Sequence, residues 1–355
     1  MCNRVEKVQE AIHKELVSIL SLWDIDFVKA EIIKSGLINQ SIKIESGGDR
    51  RFVLQMMNRR FSREVTDKIT KLTPHLESCG LKTLHVVASK SGRNSEQYDG
   101  EQWRLLTFVD GVTYQKVHDP SQAAEAGRFL AKFHLALANY RGENISSGES
   151  VHNFGKHLAN LKKGLDFYRE HCFAAEVTKI ADNIISVKNK LPTINCHENK
   201  LVHGDPKISN FLFSRETGGA ESLIDLDTVG LMALPWELGD AFRSWCNPLG
   251  EDNEQGQFNG DFFKSAYESY VVEAGHYLTE VERGDFLLAT LYIYLELAAR
   301  FSLDVLEESY FSWDETQFAR AADHNLMRAR GQISAAFDLF GQFNYLSDYV
   351  QRHKI

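Results

Sequence analysis

Residues 201–230 read LVHGDPKISNFLFSRETGGAESLIDLDTVG, and the pattern within them decides the expected fold. The stretch opens with His203-x-Asp205, and Asn210 lies five residues after the aspartate. Apolar residues flank this polar run on both sides, which is typical of a loop anchored in a core. An ordered functional site is therefore a better interpretation of this stretch than the alternative, a solvated acidic loop.

A β-hairpin is predicted directly after this loop. The segment FLFSRETGGAESLI has an apolar run at each end and a turn signal at Gly218-Gly219. Its second strand would end at Asp225, and Asp227 follows two residues later. Residues two apart on a strand point to the same face, so these carboxylates would repel each other unless a cation lay beside them. The spacing therefore favours a metal site.

The order of these polar residues is that of a protein-kinase catalytic loop. There an Asp accepts the proton of the substrate hydroxyl, an Asn five residues later binds magnesium, and a further Asp after a hairpin binds the metal. Phosphoryl transfer needs oxygen ligands for Mg²⁺ and a carboxylate that orients the attacking hydroxyl. The stretch thus predicts magnesium-dependent phosphoryl transfer from ATP.

The residues before this stretch begin with a period-two pattern of strands. We predict strands at 27–33, 41–46, 50–57, 82–88 and 102–109, a turn at Gly47-Gly48-Asp49 and a helix at 62–79. Asp119-Pro120 then opens a helix, because Asp is favoured as N-cap and Pro as first residue. We expect an α+β protein with a β-rich domain over 1–111 and a mostly helical domain over 112–355.

Composition excludes several classes of protein. The chain has 355 residues, 43% of them hydrophobic and 25% charged, which is typical of a folded globular protein and not of a disordered chain. The net charge is -9, and no basic, aromatic-rich patch is present, so we do not expect nucleic acid as a partner. The most apolar run, 286–295, is too short to span a bilayer and predicts a buried core helix without membrane contact.

The charge is unevenly distributed along the chain. From residue 201 onward there are 11 basic and 25 acidic residues, whereas the first 200 residues carry a net positive charge. This asymmetry fits an anionic ligand on one side and a metal or a cationic ligand on the other, with a solvated acidic surface as the alternative. Five scattered cysteines without a C-x-x-C pair and an N-terminus without a signal peptide predict a cytoplasmic protein.

Two segments, HGDPKISNFLF and LIDLDTVG, resemble the aminoglycoside phosphotransferase and choline kinase superfamily. The resemblance implies a bilobal, protein-kinase-like fold. Within the superfamily the chain is most similar to the N-acetylhexosamine 1-kinases. That likeness rests on FVLQMMNRRF (52–61), DGEQWRLLTFVDG (99–111), ELGDAFR (237–243), LELAARFSLDVLEESYF (295–311) and DHNLMRARGQI (323–333).

The resemblance implies roles for the polar residues of the catalytic loop. Asp205 would be the catalytic base, and Asn210 and Asp225 would be ligands of Mg²⁺. Asp227 would lie just outside the ligands of that metal or would bind a second metal ion.

Two further residues of the loop have open interpretations. His203 would orient the loop by hydrogen bonding, although it could equally be a satisfied core histidine. Lys207 would reach the transferred phosphate and offset its charge, with an ordinary surface lysine as the alternative.

The resemblance also implies nucleotide contacts in the first domain. Gly36, Asn39 and Ser41 would cradle the phosphates, although this segment alone reads as a plain hairpin turn. Backbone groups of Thr107, Phe108 and Val109 would pair with the adenine. Apolar walls on both sides of the base would come from Val53 and Leu106.

Gln55 stands where protein kinases have the strand lysine that pairs with the α- and β-phosphates. Glutamine brings no charge, so a neutral hydrogen bond replaces a charge-assisted one of roughly twice the strength. The arginines at positions 59, 60 and 63 could supply the missing charge. The substitution also leaves open the interpretation that the protein is a catalytically inactive, nucleotide-binding regulator.

The acceptor pocket is expected in the helical domain. Arg243, Asp240, Glu296 and Arg300 are polar residues in otherwise apolar segments, and they could bind sugar hydroxyls. Glu296 and Arg300 are one helical turn apart, so a structural ion pair is the alternative.

The favoured acceptor is the anomeric hydroxyl of an N-acetylhexosamine. Another small-molecule acceptor of the superfamily is the rival: an aminoglycoside, choline, homoserine or another sugar. A polycationic acceptor would suit acidic pocket walls.

Overall fold

The structure, a computed structural model, describes residues 13–33, 39–58, 63–142 and 152–353. The chain divides into two compact units, Met1–Asp110 and Gly111–Ile355. The first unit is built on a β-sheet and the second is mostly helical. This composition confirms the predicted α+β class.

An antiparallel sheet forms the first unit, with the strand order β1-β2-β3-β6-β4 and β5 paired to β6. Its strands are β1 (Phe27–Ile33), β2 (Gln40–Ser46), β3 (Arg51–Met56), β4 (Val86–Val87), β5 (Glu96–Tyr98) and β6 (Glu101–Thr107). Helix α1 (Arg63–Ser78) follows β3 in the chain. Gly48 and Asp49 have positive φ angles in the turn between β2 and β3, where the sequence predicts a hairpin.

One face of this sheet forms the core of the unit. Ile44, Leu54 and Leu105 are fully buried there and pack with Leu20 and Trp23 from the N-terminal helical segment. The opposite face carries Ser41, Val53, Gln55, Arg104 and Leu106, because directly paired residues on neighbouring strands point to the same side. The strand register alone thus places Ser41, Gln55 and Arg104 side by side.

The predicted strand at 82–88 is much shorter in the structure. Only Val86 and Val87 pair with β6, and the other half of β6 pairs with β5, which the sequence did not predict. Strand β5 reads Glu-Gln-Tyr and therefore lacks the apolar alternation that reveals a strand.

Helices dominate the second unit. They are α2 (Pro120–Ala138), α3 (Phe154–Phe167), α4 (Ala174–Lys188), α5 (Leu234–Trp245), α6 (Gly260–Ala274), α7 (Glu280–Glu307) and α8 (Ala321–Arg352). Two antiparallel strand pairs complete the unit: β7 (Asn199–Val202) with β10 (Gly230–Ala233), and β8 (Phe211–Phe213) with β9 (Ala220–Leu223). Asp119 caps α2 by accepting the Gln122 N–H, as predicted from Asp-Pro.

Helix α7 is the central element of this unit. A capping box of Thr279 and Glu282 opens it, and most of its residues are buried. Of the described helices, α7 is the one that is long and apolar enough to cross a membrane, but 89% of its most apolar window is buried inside the protein. The prediction of a buried core helix at 286–295 is confirmed.

The segment after β9 differs from the prediction. The strand ends at Leu223, Asp225 has a φ of 61°, and Leu226–Thr228 form a 3₁₀ turn. Asp225 and Asp227 therefore do not lie on one strand, and the argument that strand alternation brings them to the same face is wrong. The left-handed conformation of Asp225 breaks the strand, and aspartate is among the few residues other than glycine that adopt it readily.

Candidate active site

A buried carboxylate holds the loop that carries Asp205. Glu237, in the first turn of α5, is completely buried and accepts the N–H groups of His203 at 3.0 Å and Gly204 at 2.9 Å. Its side chain also lies 3.3 Å from Nε2 of His134. Glu237 therefore fixes the backbone N–H groups of the two residues before Asp205.

Gly204 fits this loop because of its backbone and its surroundings. Its φ is 87°, a region that side chains with a Cβ rarely adopt, and a Cβ at this position would lie 2.4 Å from the carbonyl oxygen of Thr228. The Thr228 hydroxyl in turn donates to the carbonyl oxygen of His203 at 2.9 Å. The 3₁₀ turn after Asp225 thus packs directly on the loop.

The other end of α5 holds the residues that follow Asp205. The indole N–H of Trp245 donates to the carbonyl oxygen of Pro206 at 2.9 Å. The N–H of Ile208 donates to the Ser244 hydroxyl at 3.1 Å. Helix α5 therefore fixes the loop on both sides of Asp205.

His203 is a fully buried histidine that joins two parts of the site. Its Nε2 donates to the carbonyl oxygen of Ile224 at 2.9 Å, and its Nδ1 accepts the Asp205 N–H at 3.3 Å. Burial lowers the pKa of His203, which keeps the ring neutral and matches this donor and acceptor pattern. The ring therefore ties the backbone of Asp205 to the residue before Asp225.

Asp205 is fixed by two of its neighbours. Nζ of Lys207 lies 2.6 Å from its Oδ2, and Nδ2 of Asn210 donates to its carbonyl oxygen at 2.8 Å and to Oδ2 at 3.2 Å. Burial alone would lower the pKa of Lys207, but the charges of Asp205 and Asp225 outweigh it and raise that pKa. Lys207 is therefore a firmly charged member of an acidic cluster, unlike an isolated surface lysine.

The oxygen donors in this cluster fit a magnesium ion. Asn210 uses its amide nitrogen for Asp205, which leaves its side-chain oxygen for a cation, and Asp225, whose charge also acts on Lys207, adds a carboxylate. In the described ranges, no three His, Cys, Asp or Glu side chains cluster closely enough to hold a metal by themselves. Mg²⁺ in kinases is usually held by one or two carboxylates together with substrate phosphates, so this donor set is the expected kind.

A buried ion-pair network contains the residues predicted for the acceptor. Nε of Arg243 lies 2.7 Å from Asp240, and its NH1 lies 3.0 Å from Glu251. Burial opposes ionisation of both partners, but each stabilises the other, so the pKa of Asp240 is lowered and that of Arg243 is raised. The charge of Lys207 also acts on Asp240, which shows that this network adjoins the Asp205 cluster.

Helix α7 contributes a second group of polar residues. Glu296 is fully buried, lies 3.2 Å from Nδ1 of His152 and is 4.0 Å from Arg300. The His152 ring lies nearly parallel to that of Trp236, at an angle of 17°. Burial by itself would lower the pKa of His152, but Glu296 and Asp240 overcome it and raise that pKa. The four predicted acceptor residues therefore lie in two ion-pair groups, Asp240 with Arg243 and Glu296 with Arg300, and the charge of Asp240 acts on His152 of the second group.

Aromatic rings border this network where Arg300 lies. Its guanidinium donates to the Tyr310 hydroxyl at 3.2 Å and lies 5.5 Å from the ring centres of Tyr310 and Phe311. The carboxylate of Asp304 accepts the backbone N–H groups of Ser309, Tyr310 and Phe311 at 2.8–2.9 Å. Asp304 thus fixes the segment that carries both rings.

The predicted nucleotide-binding residues of the first unit are connected through the sheet. Nε2 of Gln55 donates to the Ser41 hydroxyl, and Nε of Arg104 donates to Oε1 of Gln55, both at 2.9 Å. Asn39 is buried, and its side-chain oxygen accepts the Asn58 N–H. Gly36 lies outside the described residues, as do the arginines at 59 and 60.

The segment predicted to pair with adenine has most of its amides engaged in the sheet. The N–H of Thr107 donates to His85, and the N–H of Phe108 donates to Arg51. Among the described residues, no acceptor takes the N–H of Val109. Val53 and Leu106, the predicted apolar walls, are directly paired on neighbouring strands and lie side by side on one face of the sheet, so both would contact a base from the same side.

Sequence reasoning missed two residues that organise these clusters. Glu237 lies within ELGDAFR, a segment in which only Asp240 and Arg243 were predicted as site residues, and Arg104 lies within QWRLL, where an arginine interrupts an otherwise apolar strand. A charged residue in an apolar run was the available signal. Its partner could not be identified because the contact depends on the placement of another element.

The profile of the phosphotransferase enzyme family (APH) matches residues 29–270 of the chain. The chain belongs to this family. The predicted superfamily and the prediction of a phosphotransferase are thereby confirmed at family level. In sequence, the chain is 30% identical over 125 residues to a homoserine kinase of Rhodopseudomonas palustris, a match that covers 34% of this chain and only 37% of that relative.

Solved structures of other proteins share the fold. The amicoumacin kinase hAmiN, in complex with AMP-PNP, Ca²⁺ and Ami, is 14% identical, with a TM-score of 0.62 over 94% of this chain and 96% of that one. An aminoglycoside phosphotransferase from Alicyclobacillus acidocaldarius is 13% identical, with a TM-score of 0.61 over 93% and 96%. At these identities the similarity concerns the fold, and it confirms the predicted kinase-like class.

Proposed function

We propose that this protein is a magnesium-dependent kinase that transfers the γ-phosphate of ATP to the anomeric hydroxyl of an N-acetylhexosamine, and that it acts in the cytoplasm. The product would be a sugar 1-phosphate. Family membership supports phosphoryl transfer, and the residues around Asp205 support the chemical step. The described cysteines form no disulfide, which fits a reducing compartment.

The chemical step assigns one task to each residue of the Asp205 cluster. Asp205 accepts the proton of the attacking hydroxyl, and its orientation is held by Asn210 and by the His203 ring. Lys207 places a positive charge beside the transferred phosphoryl group. Asn210 and Asp225, with Asp227 behind them, would hold Mg²⁺, which when bound neutralises phosphate charge.

ATP is proposed as the phosphoryl donor. The similar fold of hAmiN, which is described in complex with AMP-PNP, supports an adenine nucleotide. In the first unit, Val53 and Leu106 would pack against the base, the N–H of Val109 would pair with it, and Ser41 and Gln55 would contact the phosphates.

The compensated charges of the acceptor network carry the proposal of a neutral sugar. Arg243 is paired with Asp240 and Glu251, and Glu296 is paired with His152 and lies near Arg300. A polycation or an amino acid would have to break such pairs, whereas hydroxyls and an acetamido group can hydrogen-bond to paired charges without replacing them. The rings of Tyr310 and Trp236 add apolar surface of the kind that packs against a sugar ring.

Homoserine is the second candidate because of the sequence similarity to a homoserine kinase. Its carboxylate and ammonium would require one cation and one anion from the acceptor network. The matched stretch covers about a third of the chain, and the paired state of Arg243 and Asp240 argues against this assignment.

A coupled assay with Mg²⁺ and ATP tests these alternatives directly. The acceptors are N-acetylglucosamine, N-acetylgalactosamine, homoserine, choline and kanamycin, and the methyl glycoside of N-acetylglucosamine serves as the matched control with a blocked anomeric hydroxyl. We expect turnover with the free N-acetylhexosamines and none with the glycoside. Turnover with homoserine alone would replace the proposal with the second candidate. Nucleotide binding without turnover of any acceptor would identify a regulator.

A further inference from the structure

A buried arginine lies next to Gln55, the residue that replaces the strand lysine of protein kinases. Arg104 on β6 is 1% exposed, and its Nε donates to Oε1 of Gln55. Gln55 lies between Arg104 and Ser41, because the three residues are directly paired on the adjacent strands β6, β3 and β2. Side chains of paired residues point to the same face, so the contact follows from the strand register.

The hydrogen bonds in this row run in one direction. Arg104 donates to Gln55, and Gln55 donates to the Ser41 hydroxyl. A guanidinium can only donate, so it fixes the Gln55 carboxamide with its oxygen toward Arg104 and its NH₂ group toward Ser41. The Ser41 oxygen already accepts a bond, which leaves its own hydrogen to donate. The Ser41 end of the row therefore presents hydrogen-bond donors, the groups that an anion requires.

We propose that Arg104 is the positively charged residue of the nucleotide-phosphate site and that it acts through Gln55 as a positioning residue. This inference rests on the proposed ATP-dependent function. The guanidinium is always charged, so it polarises the Gln55 amide and strengthens the outward donors toward phosphate oxygens. The charge absent from position 55 is thus present one strand away.

The same geometry explains why lysine is absent from position 55. An ammonium group there would lie against the Arg104 guanidinium in a buried environment, and both groups can only donate. Like charges at this distance destabilise each other. Glutamine accepts from Arg104 and donates to Ser41, so it satisfies both neighbours.

Arg63 differs from Arg104 in the features that matter here. It is exposed, and its Nε donates to Gln102, two residues away from Arg104 on β6. Arg63 therefore has an arginine-to-glutamine hydrogen bond like that of Arg104 but no contact with Gln55. Arg63 is also one of the arginines that the sequence offers as a source of the missing charge, so Arg63→Met tests that rival beside Arg104→Met.

Nucleotide affinities test the proposal. Dissociation constants of Mg·ATP and of adenosine are measured by calorimetry for the wild type, Arg104→Met, Gln55→Lys, the double variant and Arg63→Met, with circular dichroism as the test of folding. We expect Arg104→Met to weaken ATP binding about tenfold while adenosine binding stays within about twofold. Gln55→Lys alone should bring no gain, and the double variant should recover ATP affinity because one cation is again present.

Several results would overturn the inference while leaving the proposed function in place. These are equal losses for ATP and adenosine, additive losses in the double variant, or a selective loss of ATP affinity in Arg63→Met. If Arg104→Met does not fold, Arg104→Lys and Gln55→Leu are compared instead as two single variants. Arg104→Lys keeps the charge and Gln55→Leu removes the link to it, so Gln55→Leu should bind ATP more weakly, and equal ATP affinities of the two variants would contradict the proposal. A wild type that binds no Mg·ATP would instead contradict the proposed function itself.

Discussion

Asp205 has the surroundings expected of a proton acceptor in phosphoryl transfer. Its side chain is 23% exposed, so a substrate can reach it, while Lys207 and Asn210 hold one of its oxygens. Its N–H donates to the His203 ring and its carbonyl oxygen accepts from Asn210, so the backbone is restricted as well. An acid with a fixed backbone and a partly exposed side chain can direct a hydroxyl without first having to be ordered.

Replacing Asp205 by Asn tests the proposed base. An amide cannot take up the hydroxyl proton, so we expect kcat to fall by about 10³-fold while the dissociation constant of ATP stays within a few-fold. Steady-state kinetics and calorimetry measure the two quantities. Asp182→Asn, an exposed change on α4, is the control. Retained kcat in Asp205→Asn would exclude it as the base.

His152 predicts a dependence of stability on pH. Its pKa is raised in the folded protein above the ordinary value of 6.5, so the bond to Glu296 is complete below that pH and is lost as pH rises through the higher folded-state pKa. We expect the free energy of unfolding to decrease over that range in the wild type and to change less in His152→Gln. Urea unfolding at several pH values measures this. The exposed His276→Gln should behave like the wild type, and identical curves for His152→Gln would contradict the prediction.

At the scale of elements, α5 organises the second unit's site. Glu237 in its first turn holds the residues before Asp205, and Ser244 and Trp245 in its last turn hold those after it. Asp240 and Arg243 lie between them on the same helix and belong to the acceptor network. One helix therefore sets both the position of the proposed base and the charges beside it.

Glu237→Gln tests this role of α5. The amide turns one acceptor of backbone N–H groups into a donor and leaves a buried N–H without a partner, so we expect a loss of about 1–3 kcal/mol in the free energy of unfolding. A displaced Asp205 should also lower kcat more than it changes the KM for ATP. Denaturant unfolding and kinetics measure both effects, with the exposed Glu170→Gln as control. A variant with the stability and kcat of the wild type would show that Glu237 does not position the loop.

Local sequence signals predicted elements well where residues with special backbone preferences occur. Asp119-Pro120 marked the start of α2, and Gly218, with a φ of 71°, lies in the turn of the β8–β9 hairpin. Strand β5 escaped notice because its residues are polar. The strand assumed at Asp225 was wrong because a left-handed residue ends it, and aspartate carries no clear signal for that conformation.

At the scale of the whole molecule, the uneven charge has a partial structural explanation. Asp205, Asp225, Asp240 and Glu296 belong to the networks of the second unit, where Lys207, Arg243 and Arg300 accompany them. These few acids cannot account for the 25 acidic residues after position 200. Most of the others are surface residues, so the asymmetry by itself did not locate the site.

Binding of Mg·ATP should stabilise the whole protein. A ligand that binds only the folded state at 100 times its dissociation constant adds about 2.7 kcal/mol to the free energy of unfolding. We expect a rise in Tm with ATP and Mg²⁺ that is largely lost with EDTA, and Asp225→Asn should reduce the magnesium-dependent part. Differential scanning fluorimetry measures these shifts. The same rise with EDTA in the wild type would contradict a magnesium-dependent site.

The sequence by itself determined the family, the class of chemistry and the identity of the residues around Asp205, because their spacing within thirty residues is a local property of the chain. It also indicated that Arg243, Asp240, Glu296 and Arg300 were unusual, because charged residues in apolar segments need a reason. Only the tertiary structure decided which partners they have. The contacts of Glu237 with His203 and of Arg104 with Gln55 join residues 34 and 49 positions apart. Such contacts depend on helix packing and strand register, which no local pattern encodes.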